Sequence, residues 1–246
     1  MYLSRLILNP RNRFVQRDIG DIFQMHRTIL KAFPPTGHSS DFRKDNGVLY
    51  RVDLERKTGL PLVLVQSSVL PDWSFLKESG NYLSDDFESK ENLATKPVSG
   101  FYEKLSEGQV LLFRLRANVT RKIDTKTGPD GKKRNGRRVP LRQPAEMTDW
   151  LKRKGSQGGF ELMGVAVDSS IPDLLVGQEI DRQSFSRKNN RESVSDESRV
   201  NPLTLSSVIF EGKLRITHKG AFLKTLVEGI GSGKAYGFGL LSIAPL

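Results

Sequence analysis

Between Gly229 and Gly239 the chain carries five glycines, at 229, 231, 233, 237 and 239, set around a single Lys234. Neither a helix nor a strand ladder runs through such a stretch, because glycine has the most conformational freedom to lose and readily takes positive φ. Its flanks are regular. Gly220 to Val227 reads as a helix and Leu240 to Ala244 as a final strand, so the chain ends helix, glycine loop, strand. A backbone without Cβ atoms can also approach a ligand closely. A P-loop would need glycine where Glu228 stands and a hydroxyl where Ala235 stands. A dinucleotide fingerprint would need glycine at Lys234. Nucleotide hydrolysis and dinucleotide binding therefore lose their support. A loop lying on a phosphate backbone and a plain turn needing positive φ both remain open.

Charge narrows the choice of partner. Thirty-nine Lys and Arg face twenty-eight Asp and Glu over 246 residues, a formal net charge of +11. Such a surplus favours polyanions, since each neutralised phosphate releases condensed counterions. Nucleic acid is the first expectation and an anionic membrane surface the second. No long apolar segment is present to span a bilayer, and Tyr2 to Leu8, interrupted by Ser4 and Arg5, reads as a strand rather than a leader. The chain has no cysteine, which excludes disulfides and thiolate zinc sites and fits a cytoplasmic address.

The element pattern predicts an α+β fold. Strand 2–8 is followed by a basic loop and a helix over Asp21 to Phe33, ended by Pro34-Pro35. Val48, Tyr50, Val52 and Leu54 alternate as a half-buried strand, Leu62 to Val65 reads as a central strand, and Asp72-Trp-Ser-Phe-Leu begins a short capped helix. This is a ferredoxin-like beginning. Residues 84–100 are polar and read as a linker. A second unit starts with a strand over Gln109 to Val119 and a hairpin or loop over Thr120 to Val139. A helix from Pro144 to Lys154 and strands over Phe160 to Val167 and Leu205 to Thr217 complete it. Residues 182–201 are charged and poor in apolar side chains, and are expected to form a mobile insertion. The domain expectation is 1–92 and 101–246.

Two further features point to chemistry. From Arg121 to Arg138 eight cations (Arg121, Lys122, Lys126, Lys132, Lys133, Arg134, Arg137, Arg138) face only Asp124 and Asp130, with a Gly-Pro-Asp-Gly turn signal at the centre. A basic hairpin of this kind can reach a nucleic-acid groove, and a solvated loop is its simpler alternative. The three histidines, His26, His38 and His218, have no metal-ligand spacing. His218 precedes a helix that it can cap. On a wheel of about 100° per residue, His26 falls inside the apolar arc of Ile22, Met25, Ile29, Leu30 and Phe33. Taken alone, that placement favours a partly buried core histidine.

The ordered set of Met1-Tyr-Leu-Ser-Arg-Leu-Ile-Leu-Asn-Pro10, Met25-His-Arg-Thr28, Val63-Leu-Val-Gln66, Pro71-Asp-Trp73 and Phe113-Arg-Leu-Arg-Ala-Asn118 adds a different kind of signal. So do Arg138-Val-Pro-Leu141, Phe210-Glu-Gly212 and the closing glycine run. Together these resemble the CRISPR precursor-RNA endoribonucleases of type I-E systems, the crRNA-processing subunits of the Cascade complex within the RAMP superfamily. The resemblance implies two tandem ferredoxin-like (RRM-like) domains with antiparallel sheets. It also implies metal-independent cleavage at the 3′ base of a repeat stem-loop, with no cofactor, and retention of the mature crRNA among Cascade subunits. A stem-loop-binding subunit that cuts slowly or not at all is the alternative.

The resemblance makes His26 catalytic, as base for the ribose 2′-hydroxyl or acid for the leaving 5′ oxygen. The products would be a 2′,3′-cyclic phosphate and a 5′-hydroxyl. Lys31 matches a cation near the site in some relatives and would stabilise phosphorane charge, although it sits about 140° from His26 on an ideal helix. Some relatives carry tyrosine three residues before the histidine. Phe23 stands there instead, without a hydroxyl but able to stack on a base, and slow turnover is expected. The implied RNA-binding residues are Phe23, Arg27, Arg116, Arg121, Lys132, Lys133, Arg134, Arg137, Arg138, Gly231, Gly233 and Lys234.

Overall fold

The structure, a computed structural model, describes residues 1–34, 45–78, 80–84, 92–123, 137–178, 182–187 and 200–246. In chain order the elements begin β1 (Tyr2–Ile7), α1 (Arg13–Gly20), α2 (Ile22–Leu30), β2 (Leu49–Leu54), β3 (Pro61–Ser67), α3 (Phe75–Glu78), β4 (Leu93–Pro97) and α4 (Ser99–Glu103). They continue β5 (Val110–Asn118), β6 (Thr120–Ile123), β7 (Arg137–Pro140), α5 (Pro144–Gly158), β8 (Phe160–Leu162), β9 (Leu174–Gln178), β10 (Arg182–Arg187) and β11 (Val200–Leu205). Last come β12 (Ser207–Ile216), α6 (Lys219–Glu228), a 3-10 turn (Lys234–Tyr236) and β13 (Leu241–Pro245).

Contacts divide the chain into two units. The first comprises Met1–Lys104, Asp181–Leu205 and Gly233–Leu240; the second comprises Leu105–Ile180, Ser206–Ser232 and Leu241–Leu246. The N-terminal segment of the first unit runs on to Lys104, past the gap expected between residues 92 and 101, and two later segments belong to that unit by contact.

In the first unit the strand order is β2-β3-β1-β4, with every pair antiparallel. Together with helices between β1 and β2 and between β3 and β4, this is the ferredoxin-like arrangement. The expected linker at 84–100 therefore contains the fourth strand. It was hidden because β4 is an edge strand whose last three residues, Thr95 to Pro97, are exposed, so its composition is polar. Leu6, Leu8, Val15, Met25, Ile29, Phe33, Val63, Val65 and Trp73 build the core. Polar groups inside it are paired. Trp73 Nε1 donates to Ser4 Oγ at 3.1 Å, and the Tyr82 hydroxyl donates to Asp18 Oδ2 at 2.8 Å. Burial, and then the Asp18 charge, pushes the Tyr82 phenol far above its ordinary range.

The second unit repeats the plan with the order β13-β5-β12-β8, while β9 continues the β8 side of β12. Trp150 stacks on Phe210 at 6.3 Å and Phe160 meets Phe222 edge-on at 6.0 Å between the helices and the sheet. The sequence expectation of one strand from Leu205 to Thr217 resolves into two, since β11 ends at Leu205 and β12 starts at Ser207. Residues 182–187 pair antiparallel with 200–205 as β10 and β11, so the ends of the expected insertion form a ladder; 188–199 lie outside the described residues. Hydrogen bonding between backbones does not require apolar side chains, and composition therefore gave no sign of this ladder.

Candidate active site

Asp21 sets the position of α2. Its backbone N–H closes α1 on the Arg17 carbonyl at 3.0 Å, and its Oδ1 caps α2 by accepting from Phe23 N at 2.9 Å. The helix that follows buries two different sides. Met25 and Ile29 enter the core over the sheet, whereas Ile22 joins a second cluster with Leu205 and Phe238, against which Tyr236 packs. His26 lies one turn after Ile22 and three residues after Phe23, so these three share a face. The imidazole is thus not a core histidine of the first cluster. It is half-buried and faces the glycine-rich segment, its ring 6.3 Å from that of Tyr236. Phe23 meets the same tyrosine edge-on, ring to ring 5.0 Å at 83°.

The segment facing α2 is fixed by backbone. Gly233 and Gly237 bracket the Lys234–Tyr236 turn at φ 78 and 84°, both left-handed. The Tyr50 hydroxyl donates to the Ala235 carbonyl at 3.1 Å from β2, the edge strand. A Cβ at Gly237 would sit 3.1 Å from Tyr50 Cε2, so the close approach needs glycine. On the opposite face of β2, the buried Arg51 donates to the Leu240 carbonyl at 3.3 Å while its Nε pairs with Asp53 Oδ2 at 2.6 Å. The loop is held at both ends along β2.

The Nδ1 of His26 is sealed from solvent, and the residue as a whole is half-buried. Tyr236 is also half-buried, and desolvation pushes its phenol up, which keeps it a neutral donor at ordinary pH.

The other expected residues are spread more widely. Lys31 is the exposed C-cap of α2, its N–H bonded to Thr28 O at 3.3 Å; among the described residues no hydrogen bond or ion pair ties its side chain to His26 or Tyr236. Arg27 is exposed on α2, and Lys234 is half-buried as the first residue of the turn. Arg116 is 4% exposed on β5, so the RNA contact expected of it has no free guanidinium face to use. Gly231, at φ 82°, belongs to the second unit and rests against Trp150, with its neighbour Ser232 bridged to Asn118. The expected basic hairpin has its stem in β6 and β7, paired from Thr120↔Pro140 to Ile123↔Arg137. Arg121 reaches Glu146 Oε1 at 3.4 Å and Arg138 donates to Thr120 Oγ1 at 3.4 Å, both on the surface. Lys132, Lys133 and Arg134 lie outside the described residues, and of Arg137 only the backbone is described. His38 is also outside them, while His218 caps α6, Ala221 N donating to its Nδ1 at 3.1 Å. Among the described residues no three His, Asp or Glu side chains gather as a metal site.

Sequence reasoning missed Tyr236, Tyr50 and the Arg51–Asp53 pair. A signal existed for the first: Tyr236 is the one hydroxyl-bearing aromatic inside the glycine run, placed directly before a glycine that needs positive φ.

The fold and site define a protein of two ferredoxin-like units with a half-buried imidazole facing a glycine-bracketed turn. The chain belongs to the CRISPR associated protein family, whose model matches residues 1–245. It is 33% identical over 245 residues to the CRISPR-associated endoribonuclease Cse3 of Thermus thermophilus, and 30% identical over 249 residues to the Cascade subunit CasE of Escherichia coli. In both comparisons all of each chain is covered. Among solved structures, Cse3 bound to a 19 nt RNA aligns over the whole of both chains with a TM-score of 0.74 and 34% identity. The Cas6e structure from Escherichia coli aligns, again over both whole chains, at 0.60 and 25%.

Proposed function

We propose that this chain is an endoribonuclease that cuts CRISPR precursor RNA at the 3′ base of the repeat stem-loop and remains on the mature crRNA as a Cascade subunit. The observation that carries the reading is the half-buried His26 imidazole facing Tyr236 of the glycine-bracketed turn, in a chain matched end to end by a named endoribonuclease. The ribose 2′ oxygen attacks the scissile phosphorus, the bond to the 5′ oxygen breaks, and the products carry a 2′,3′-cyclic phosphate and a 5′-hydroxyl. His26 takes the 2′ proton or supplies the one gained by the 5′ oxygen. No metal is asked to take part. Arg121 and Arg138 on the hairpin stem, Arg27 on α2 and Lys234 on the turn hold phosphates, which gives shape recognition and strong salt dependence. An RNA-processing role of this kind places the chain in the cytoplasm.

The test is cleavage of the repeat RNA in EDTA by wild type and by His26→Ala. Wild type is expected to cut once per repeat and the variant to bind without cutting. RNA bound tightly and left intact by wild type would instead make the chain a structural stem-loop-binding subunit.

A further inference from the structure

The second functional group of the His26 site is on the glycine-rich segment rather than on α2. We propose that the Tyr236 hydroxyl is a catalytic hydrogen-bond donor that binds a non-bridging oxygen of the scissile phosphate while His26 handles the proton. The inference rests on the nuclease reading given above.

Placement comes first. Tyr236 and His26 are joined across 6.3 Å, ring centre to ring centre, with the planes inclined at 63°. That spacing matches two side chains engaging different oxygens of one phosphodiester, the imidazole an apical oxygen and the phenol an equatorial one. Phe23 meets the same tyrosine ring edge-on and has no polar atom to offer, so it acts as a wall. The ring is positioned by its backbone. Gly233 and Gly237 bracket the turn, the Tyr236 N–H is bonded to the Gly233 carbonyl at 2.8 Å, and the neighbouring Ala235 carbonyl is held by Tyr50.

The hydroxyl itself is left over. Among the described residues no hydrogen bond engages it, and the residue is half-buried. A phenol held in place by its ring and main chain, with its oxygen uncommitted, costs no reorganisation when charge develops nearby. Desolvation keeps it protonated, so it donates and does not compete with His26 for the substrate proton. In the step itself the 2′ oxygen bonds to phosphorus and loses its proton, and the 5′ oxygen leaves and gains one. Tyr236 keeps its proton throughout and offsets the charge gathering on the equatorial oxygen.

The experiment compares wild type, Tyr236→Phe and His26→Ala on the repeat hairpin RNA in EDTA, with protein in excess. Phenylalanine keeps the edge-on contact with Phe23 and removes only the uncommitted oxygen. The saturated cleavage rate is expected to fall about 100-fold, the usual cost of losing one such donor. The protein concentration giving half saturation should stay within about twofold of wild type, since the interaction forms in the transition state. Sulfur substitution at the non-bridging oxygens supplies a readout that mere packing would not move. Wild type should be slowed on one diastereomer, and Tyr236→Phe should be indifferent to both. A saturated rate for Tyr236→Phe equal to wild type would overturn the assignment of Tyr236 alone, as would a loss confined to half saturation. A wild type that leaves the RNA intact would overturn the nuclease reading and this inference together.

Discussion

Replacing Gly237 with alanine tests the claim that the turn facing His26 is fixed by backbone. Two costs can be separated. At φ 84° any residue with a Cβ is strained, which costs about 1–2 kcal/mol. The new methyl would also lie 3.1 Å from Tyr50 Cε2. Tyr50 cannot easily retreat, being 1% exposed and bonded through its hydroxyl to Ala235 O. Forcing a methyl into such packing adds about 1 kcal/mol or more, for a total near 2–3 kcal/mol. Gly59, at φ 71° in the turn between β2 and β3, supplies the control: it has positive φ, and its Cβ would meet nothing within 4 Å. Urea unfolding should therefore show Gly59→Ala losing only the strain component and Gly237→Ala losing about 1 kcal/mol more. Gly237→Ala should also cleave RNA more slowly, because Tyr236 precedes it directly. Equal losses for the two variants would refute the idea that Tyr50 is a rigid stop for the turn.

Two further outcomes follow from buried polar groups. Arg51→Leu leaves Asp53 buried without its guanidinium and should destabilise the first unit by about 3–5 kcal/mol; adding Asp53→Leu should recover much of that loss, measured by urea unfolding. The Tyr102 phenol, bonded to Gln66 Oε1 at 2.8 Å, is pushed up to about 12 by burial. Its contribution to stability is complete below the unfolded-state value near 10 and is lost as pH rises from there toward the folded value, because only the unfolded chain releases the proton in that window. Tyr102→Phe should therefore flatten the alkaline loss of stability seen in thermal melts of wild type.

The sequence made the regular elements legible wherever apolar period and caps agreed. Expected strand Gln109 to Val119 is β5 at Val110–Asn118, and the helix expected over Gly220 to Val227 is α6 at Lys219–Glu228. The repeated strand–helix order was sufficient to point to two ferredoxin-like units. What stayed hidden was edge and contact. β4 reads as polar linker because an edge strand can expose most of its side chains, and β10 and β11 pair through backbone in a charged stretch. His26 shows the same limit from the other direction. A helical wheel separates apolar from polar arcs but cannot tell whether an arc meets the sheet or a returning loop. Met25 and Ile29 meet the sheet core, whereas Ile22 meets Phe238 from more than two hundred residues later, so His26, on the same side as Ile22, faces the glycine-rich segment. The glycine run was legible as a special backbone, and its positive φ values are as expected. That its aromatic residue, Tyr236, reaches back to α2 was not, because nothing in local spacing encodes a contact at that separation.

The most direct test of His26-assisted 2′ attack uses repeat RNA carrying one 2′-deoxy nucleotide on the 5′ side of the cut, incubated with excess protein in EDTA. Unmodified RNA should yield a 2′,3′-cyclic phosphate and a 5′-hydroxyl, and the deoxy RNA should bind equally well and remain intact. Cleavage of the deoxy RNA at the same position, at a rate near that of the unmodified strand, would contradict the mechanism.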